Sequence, residues 1–457
     1  MSDFSLTAYL NQEHTIHLVG IGGVSMSALA ELLMHLGAHV TGSDRAQSAV
    51  TDKLTHLGAS ITYAHLPENV EGASVVIRTA AVHDDNPEIK RARDLNIPVI
   101  ERAQAWGWIM KDYKQAVCIA GTHGKTTTTS MMTLIGMEAG IDPTVMVGSD
   151  LPAIGGTLRI GAHDCFVAES CEYTNSFLQF HPTVAVVLNV EADHLDFFKD
   201  IDDIVHSFRT FCSLTPESGL VVLNHDSANA MRCADNLNRT IRTFGETDAA
   251  DVYPDNVVNH NGYYEFDVLC GGTLYTHVTL SVPGHHNMLN ALACCAVCSW
   301  MGLDGAAVAA GLNKFTGSSR RFELTGYTEK GIRVVDDYAH HPTEMRATLT
   351  SARDMNFERI LCVFQPHTYT RTAALFDQFV ESLKLCDKVI LANIYAAREK
   401  NTIGIRAKDL ADQIDGAEFY ETFDEIEDRL LEIAKPGDLI LTMGAGDVYK
   451  IGEAIVV

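Results

Sequence analysis

Long apolar runs are missing from this 457-residue chain, and none of its stretches is long enough to span a bilayer. Its start also lacks a basic segment followed by an apolar one, the pattern of a secretory signal. Positive charge is scarce. Lys and Arg number 34 against 59 Asp and Glu, a formal net charge of -25. Such a polyanion repels nucleic acid and acidic membranes, so neither is expected as a partner. An anionic substrate must then be held by local donors and metal. The 11 Cys are scattered and odd in number, which reads as a reduced, cytoplasmic protein. Cys295 and Cys298 have a C-x-x-C spacing, but no second pair completes a zinc site. With Cys294 they sit in an Ala-rich apolar stretch and read as core thiols. Internal repeats and low-complexity segments are absent. The length suggests about three domains.

What is present centres on Gly121-Thr122-His123-Gly124-Lys125-Thr126-Thr127-Thr128. The preceding Ala116–Ala120 reads as a buried strand, and Thr129–Ala139 carries apolar residues at helical spacing. A glycine loop between strand and helix aims several amides at one volume, and Lys125 adds a full charge. This is a polyphosphate cradle, with Thr126 placed to offer its hydroxyl to Mg²⁺. Ile119 stands where the usual pattern has its first glycine, so the loop is a shortened form.

The chain opens with a βαβ pattern. Thr15–Val19 is a strand, Gly20-Ile21-Gly22-Gly23-Val24-Ser25 a glycine loop, Met26–Leu36 a helix, and Ala38–Gly42 a strand ending at Ser43-Asp44. Ser25 takes the place of the last glycine of the dinucleotide fingerprint, so the loop reads as a diphosphate site more than an NAD site. Asp44 is open between a ribose or base contact and a turn residue. Lys111–Lys114 reads as a linker. Carboxylates and a histidine follow two later strands: Glu169 after Asp164–Ala168, and Glu191, Asp193 and His194 after Thr183–Leu188. These strand ends form the ligand edge of an open α/β sheet. Residues 251–282 change to short strands with hairpin turns, a small antiparallel sheet. Asn287 opens a long helix, where it could cap the helix or read an adenine edge. A third β/α series begins after Arg320-Arg321. It carries Asp336-Asp337-Tyr338-Ala339-His340-His341-Pro342, Gln365-Pro366-His367-Thr368-Tyr369-Thr370-Arg371 and a glycine loop at Gly444–Asp447.

In this order the motifs resemble the Mur ligases of bacterial cell-wall synthesis, over nearly the whole chain. The Gln-Pro-His stretch and the Gly-Ile-Gly-Gly start resemble the branch that adds L-alanine. The resemblance implies an α/β protein of three domains. Residues 1–112 would be a Rossmann-like UDP-sugar domain, 113–317 a central P-loop ATPase-type domain with the small antiparallel sheet, and 318–457 a Rossmann-like amino-acid domain. It implies ATP-dependent joining of L-alanine to the lactyl carboxylate of UDP-N-acetylmuramate through an acyl phosphate, by a monomer or weak homodimer. Lys125, His194 and His341 would be catalytic. Gly121, Thr122, His123, Gly124, Lys125, Thr126, Thr127, Asn287, Arg320 and Asp336 would bind ATP. Thr126, Glu169 and His194 would hold Mg²⁺. Gly22, Gly23, Ser43 and Asp44 would take the UDP-sugar, while Tyr338, His367 and Arg371, with His341 beside them, would take the amino acid. Two departures stand out. Glu169-Ser170-Cys171-Glu172 lacks the Asp many relatives have, and Thr368 replaces a basic residue. Arg209 stands near the position of a modified lysine in sister enzymes, so no carbamylated lysine is expected. The rival readings are a ligase recycling a preformed tripeptide, an NAD-dependent oxidoreductase and a nucleotide sensor.

Overall fold

The computed structural model describes residues 5–195 and 197–457. The chain divides into two compact units, Met1–Val252 with Ala293–Gly311, and Tyr253–Leu292 with Leu312–Val457.

The first unit holds two sheets. β1 (Thr15–Val19), β2 (His39–Ser43), β3 (Ser60–Thr62), β4 (Val75–Arg78) and β5 (Val99–Glu101) form an all-parallel sheet in the order β3-β2-β1-β4-β5. The order reverses at β1, which puts the crevice beside its carboxyl end, where Gly20–Gly23 begins. The second sheet contains β6 (Gln115–Ala120), β7 (Thr144–Leu151), β8 (Gly156–Arg159), β9 (Cys165–Glu169), β10 (Val184–Val187), β11 (Leu220–Asn224) and β12 (Thr240–Phe244). They run in the order β12-β11-β10-β6-β9-β7-β8, with only β8 antiparallel to its neighbour. β6 is central, flanked by β10 and β9. The residues following all three strands therefore emerge side by side.

The expected linker at Lys111–Lys114 is instead a packed joint. A helix, Arg102–Met110, runs into it. Its two polar residues, Arg102 and Gln104, sit in the first turn and the rest is apolar, so it carries no amphipathic period to read from the sequence. Tyr113 is buried, donates to Thr144 Oγ1 at 3.2 Å and meets the Phe166 ring edge-on at 5.0 Å. The two sheets thus share one core, from Ile16 and Leu29 through Trp106 to Phe166 and Phe208. Gly107 is the tight point, because a Cβ there would lie 1.9 Å from the Gln179 carbonyl oxygen. Gly107→Ala is expected to cost about 2–3 kcal/mol by overpacking against backbone. Thermal unfolding of the variant, read by near-UV circular dichroism, checks this.

In the second unit, β13 (Val252–His260), β14 (Tyr263–Cys270) and β15 (Thr273–Pro283) are neighbours, with β14 and β15 antiparallel. This is the small sheet expected from the hairpin turns. Its turn packs on the later helix Pro342–Asp354: Asn259 Nδ2 donates to Asp354, and Asn356 Nδ2 to Asn261. The last sheet contains β16 (Glu323–Tyr327), β17 (Arg333–Asp337), β18 (Arg359–Phe364), β19 (Lys388–Leu391), β20 (Glu418–Phe419) and β21 (Asp438–Met443). Its order is β16-β17-β21-β18-β19-β20, parallel except for the β16 edge. The carboxyl ends of β17, β18 and β21 lie together, since Asp337 and Phe364 both pair with Met443. Among the described residues, no helix is long and apolar enough to cross a membrane.

Candidate active site

The phosphate loop follows β6. Gly121 has φ +148 and lies under Leu188, where a Cβ would come within 2.9 Å of the Leu188 side chain. Gly124 (φ +84) starts the helix Lys125–Glu138 without a side-chain cap. Asn189 holds the loop from beneath. Thr122 N donates to its carbonyl at 3.1 Å and His123 N to its Oδ1 at 2.8 Å. Thr122 Oγ1 accepts from Glu191 N at 2.9 Å. These two amides, expected at the nucleotide, are therefore turned into the scaffold. The open amides are those of the first helical turn, Lys125 to Thr127, after Gly124.

Lys125 Nζ donates to the Gly121 and Thr122 carbonyls and to Glu172, 3.0 Å from Oε2. Glu172 is almost wholly buried. Burial alone would lower the lysine pKa, but the Glu172 carboxylate, with Glu169 nearby, reverses this and raises it well above the ordinary value. The ammonium is therefore fixed as a cation at the loop. Glu172 also stands 4.0 Å from His194 Nε2. It joins the two first-unit residues expected to be catalytic, yet it is absent from the expected site set. Its signal was its place just past β9, on the ligand edge. Cys171, the departure beside it, lies in surroundings that push its thiol up to about 11, so it is neutral at physiological pH.

The donor set suits a hard cation. Thr126 is buried in the first helical turn, and its hydroxyl makes no hydrogen bond among the described residues. Glu169 accepts from Gly148 N through Oε2 at 2.7 Å, which leaves Oε1 open. His194 holds a left-handed backbone (φ +53), with its ring 4.5 Å from Tyr173. A non-glycine residue in that conformation fits a side chain held for function.

At the first glycine loop the structure reassigns several groups. Gly20 N and Ile21 N donate to the Ser43 carbonyl, Gly23 N to Gly20, and Gly22 N to Asp44 Oδ2 at 2.8 Å. The Gly22 and Gly23 amides are thus internal, and the open donors are the first amides of the uncapped helix Val24–His35. Ser43 is corrected to a structural residue. It is fully buried, and its hydroxyl donates to Glu88 at 2.8 Å in a network with His65.

On the second unit, Arg320 is already engaged. Its guanidinium donates to Asp336 (2.9 Å), Gly446 O (3.0 Å) and Gly444 O (2.7 Å), and stacks between Tyr338 and Tyr449. It ties the final glycine loop to β17, in place of the expected free nucleotide donor. Asp336 is likewise internal, accepting from Arg320 and Thr442 Oγ1. The neighbour Arg321 lies 5.3 Å from the Tyr338 ring and within charge range of Asp337, and among the described residues its guanidinium makes no hydrogen bond or ion pair. Asn287 is buried within the helix His285–Trp300; its Nδ2 donates to Pro283 O and its Oδ1 accepts from the Asn290 side-chain amide, so among the described residues its amide is committed internally without the backbone N–H contact of a helix cap. His341 caps the helix Pro342–Asp354, its Nδ1 accepting from Thr343 N at 3.3 Å. In that tautomer Nε2 carries the proton, so the ring is a hydrogen-bond donor there. His367 stacks on Tyr395 at 5.7 Å, meets His340 edge-on at 5.6 Å and lies 3.3 Å from Arg371. Thr368 sits at φ +64, with its amide donating to Tyr395 O. Tyr338, His367 and Arg371 therefore share one edge of the sheet through His340.

Two desolvated groups of this unit, half-buried His286 and buried Asp337, titrate in opposite senses. Burial pulls His286 down to about 4 and pushes Asp337 up to about 6. His286 binds fewer protons folded than unfolded, so its contribution is full above about pH 6.5 and is lost toward pH 4. Asp337 binds more protons folded, so its contribution is full below about pH 4 and is lost toward pH 6. The two slopes offset. Asp337→Asn is expected to leave stability rising with pH across this window, and His286→Asn to leave it falling. Urea unfolding at pH 4.5 and 6.5, both about, checks the two signs.

Three family models match in order: "Mur ligase family, catalytic domain" over residues 15–114, "Mur ligase middle domain" over 119–298 and "Mur ligase, glutamate ligase domain" over 320–446. A UDP-N-acetylmuramate–L-alanine ligase of Acetivibrio thermocellus is 49% identical over 449 residues, covering 97% of this chain and 96% of that protein. The chain belongs to the Mur ligase family. Another protein of that description, from Caldanaerobacter subterraneus, is 47% identical over 96% of each chain. Among solved structures, the UDP-N-acetylmuramate–alanine ligase of Thermotoga maritima superposes with a TM-score of 0.80 at 30% identity, covering 96% of this chain and 98% of that one. A murein peptide ligase of Psychrobacter arcticus gives 0.71 at 24%, covering 97% and 98%, and attests the fold alone. The three-domain α/β Mur ligase fold is thus the fold of this chain.

Proposed function

We propose that this Mur ligase joins L-alanine to the lactyl carboxylate of UDP-N-acetylmuramate at the expense of ATP, in peptidoglycan precursor synthesis. The observation that carries the reading is the Lys125–Glu172 phosphate loop, in a chain 49% identical to a protein of that activity over 97% of its length. The amides of the Lys125–Thr127 turn and the Lys125 ammonium hold the polyphosphate. The substrate carboxylate oxygen attacks the γ-phosphorus, and the bond to ADP breaks. The alanine amine then attacks the carbonyl of the acyl phosphate, a tetrahedral intermediate forms, and phosphate leaves. A carboxylate approaching a polyanion needs fixed positive charge, which Lys125 supplies in a site shielded from bulk water. Thr126, Glu169 and His194 would hold Mg²⁺, which when bound screens the phosphate charge. His341 Nε2 is a donor suited to an oxyanion, and Arg371 has the fork that pairs with the alanine carboxylate.

The division at residues 112/113 and 317/318 remains our working map of sugar, ATP and amino-acid parts. The protein would act in the cytoplasm as a monomer or weak homodimer. The rival is a ligase taking a preformed tripeptide; the Psychrobacter protein is a murein peptide ligase. Coupled ADP release with UDP-N-acetylmuramate separates them. L-alanine is expected to give the highest kcat/KM among amino acids and over the tripeptide. Faster turnover with tripeptide would assign the recycling reaction instead.

A further inference from the structure

A cavity of about 110 Å³ opens between the two sheets of the first unit. Ser25, Arg102 and Trp106 line one side, Gly148, Glu169 and Cys171 the other. Most of their polar groups are committed. The Trp106 indole donates to Ser25 Oγ at 3.2 Å, and Gly148 N to Glu169 at 2.7 Å. Arg102 is the exception. It is half-buried, and among the described residues it makes no hydrogen bond and no ion pair. Burial pulls its guanidinium below the ordinary value, partly offset by Cys171 and Glu101. It remains a cation at any physiological pH. By contrast, Arg78 of the same sheet holds both Asp84 and Glu101, and Arg159 holds Asp142. A desolvated cation with five idle donors is costly unless an anion arrives. A second donor set reaches the same cavity. Ser25 lies in the first turn of Val24–His35, a 12-residue helix with no side-chain cap. Opposite stand Glu169 and, through Cys171, the surroundings of Lys125.

We propose that Arg102 is a substrate-positioning residue, whose guanidinium pairs with an oxyanion of the acyl acceptor and sets it between the first glycine loop and the phosphate loop. The inference rests on the sugar-nucleotide reading above. The acceptor offers two such oxyanions, its diphosphate and its lactyl carboxylate. Arginine suits either through two parallel hydrogen bonds.

The test uses the full chain with Arg102→Ala and Arg102→Lys. Calorimetric titration with UDP-N-acetylmuramate and with UDP-N-acetylglucosamine, which lacks the carboxylate, is paired with ADP-release kinetics. Arg102→Ala is expected to raise Kd and KM for UDP-N-acetylmuramate about 10- to 100-fold. KM for ATP and for L-alanine should stay within about twofold, and Arg102→Lys should recover part of the loss. An equal loss with UDP-N-acetylglucosamine assigns the diphosphate; a loss confined to UDP-N-acetylmuramate assigns the carboxylate. Unchanged affinity and KM in Arg102→Ala would overturn the proposal. So would a lowered unfolding midpoint with kcat reduced and KM unmoved, the mark of a structural role. Wild-type enzyme without UDP-N-acetylmuramate-dependent ADP release would remove the functional reading first, and this inference with it.

Discussion

Lys125→Ala is expected to lower ADP formation by about a thousandfold or more, through loss of the fixed cation at the transferring phosphoryl group. The sequence alone suggests a variant with an intact fold. The structure predicts a second effect, because Glu172 is buried against the Lys125 ammonium. Removing one partner strands a buried carboxylate, at a cost of about 3–5 kcal/mol. The double variant Lys125→Met, Glu172→Gln should recover much of that stability and none of the activity. Thermal unfolding and ADP release on the same samples separate the two losses. Wild-type turnover in Lys125→Ala would remove the central loop from the chemistry.

Arg320→Ala is expected to be the most damaging single change on the second unit. Buried Asp336 would lose its partner, and the carbonyls of Gly444 and Gly446 would lose their donors. The expected cost is again about 3–5 kcal/mol, with activity falling as the glycine loop detaches. Arg320→Lys should not rescue, since one ammonium cannot reproduce three directed bonds and two ring contacts. Arg321→Ala should leave the free energy of unfolding within about 0.5 kcal/mol of wild type and act mainly on kinetics. Unfolding midpoints of the three variants decide it. A stable Arg320→Ala with only a raised KM for ATP would restore the direct nucleotide role.

These two residues show what was legible in the sequence. The strand–glycine–helix loop at Lys125 could be read because its strand is short and apolar and its glycines punctuate a change of period. The βαβ opening, the small antiparallel sheet and the last strand before Gly444 were legible for the same reason. The helix Arg102–Met110 was not, because a helix that is apolar throughout after Gln104 shows no period. Side-chain partners were least legible. Arg320 and Arg321 are adjacent and identical, and only tertiary contacts tell them apart, with Asp336 and with carbonyls more than a hundred positions later. Glu172 and Ser43 were hidden likewise. One answers to Lys125 across 47 positions, the other to Glu88 across 45. Amides assigned to ligands by their glycines, at Gly22 and at Thr122-His123, turned out to serve Asp44 and Asn189.

The most direct test follows an oxygen atom. UDP-N-acetylmuramate carrying ¹⁸O in its lactyl carboxylate is turned over with ATP and L-alanine, and the released phosphate is examined by mass spectrometry. One ¹⁸O per phosphate is predicted, because the carboxylate oxygen that takes the phosphoryl group leaves with it. Phosphate free of label, formed alongside ADP and product, would contradict transfer to the sugar-borne acid.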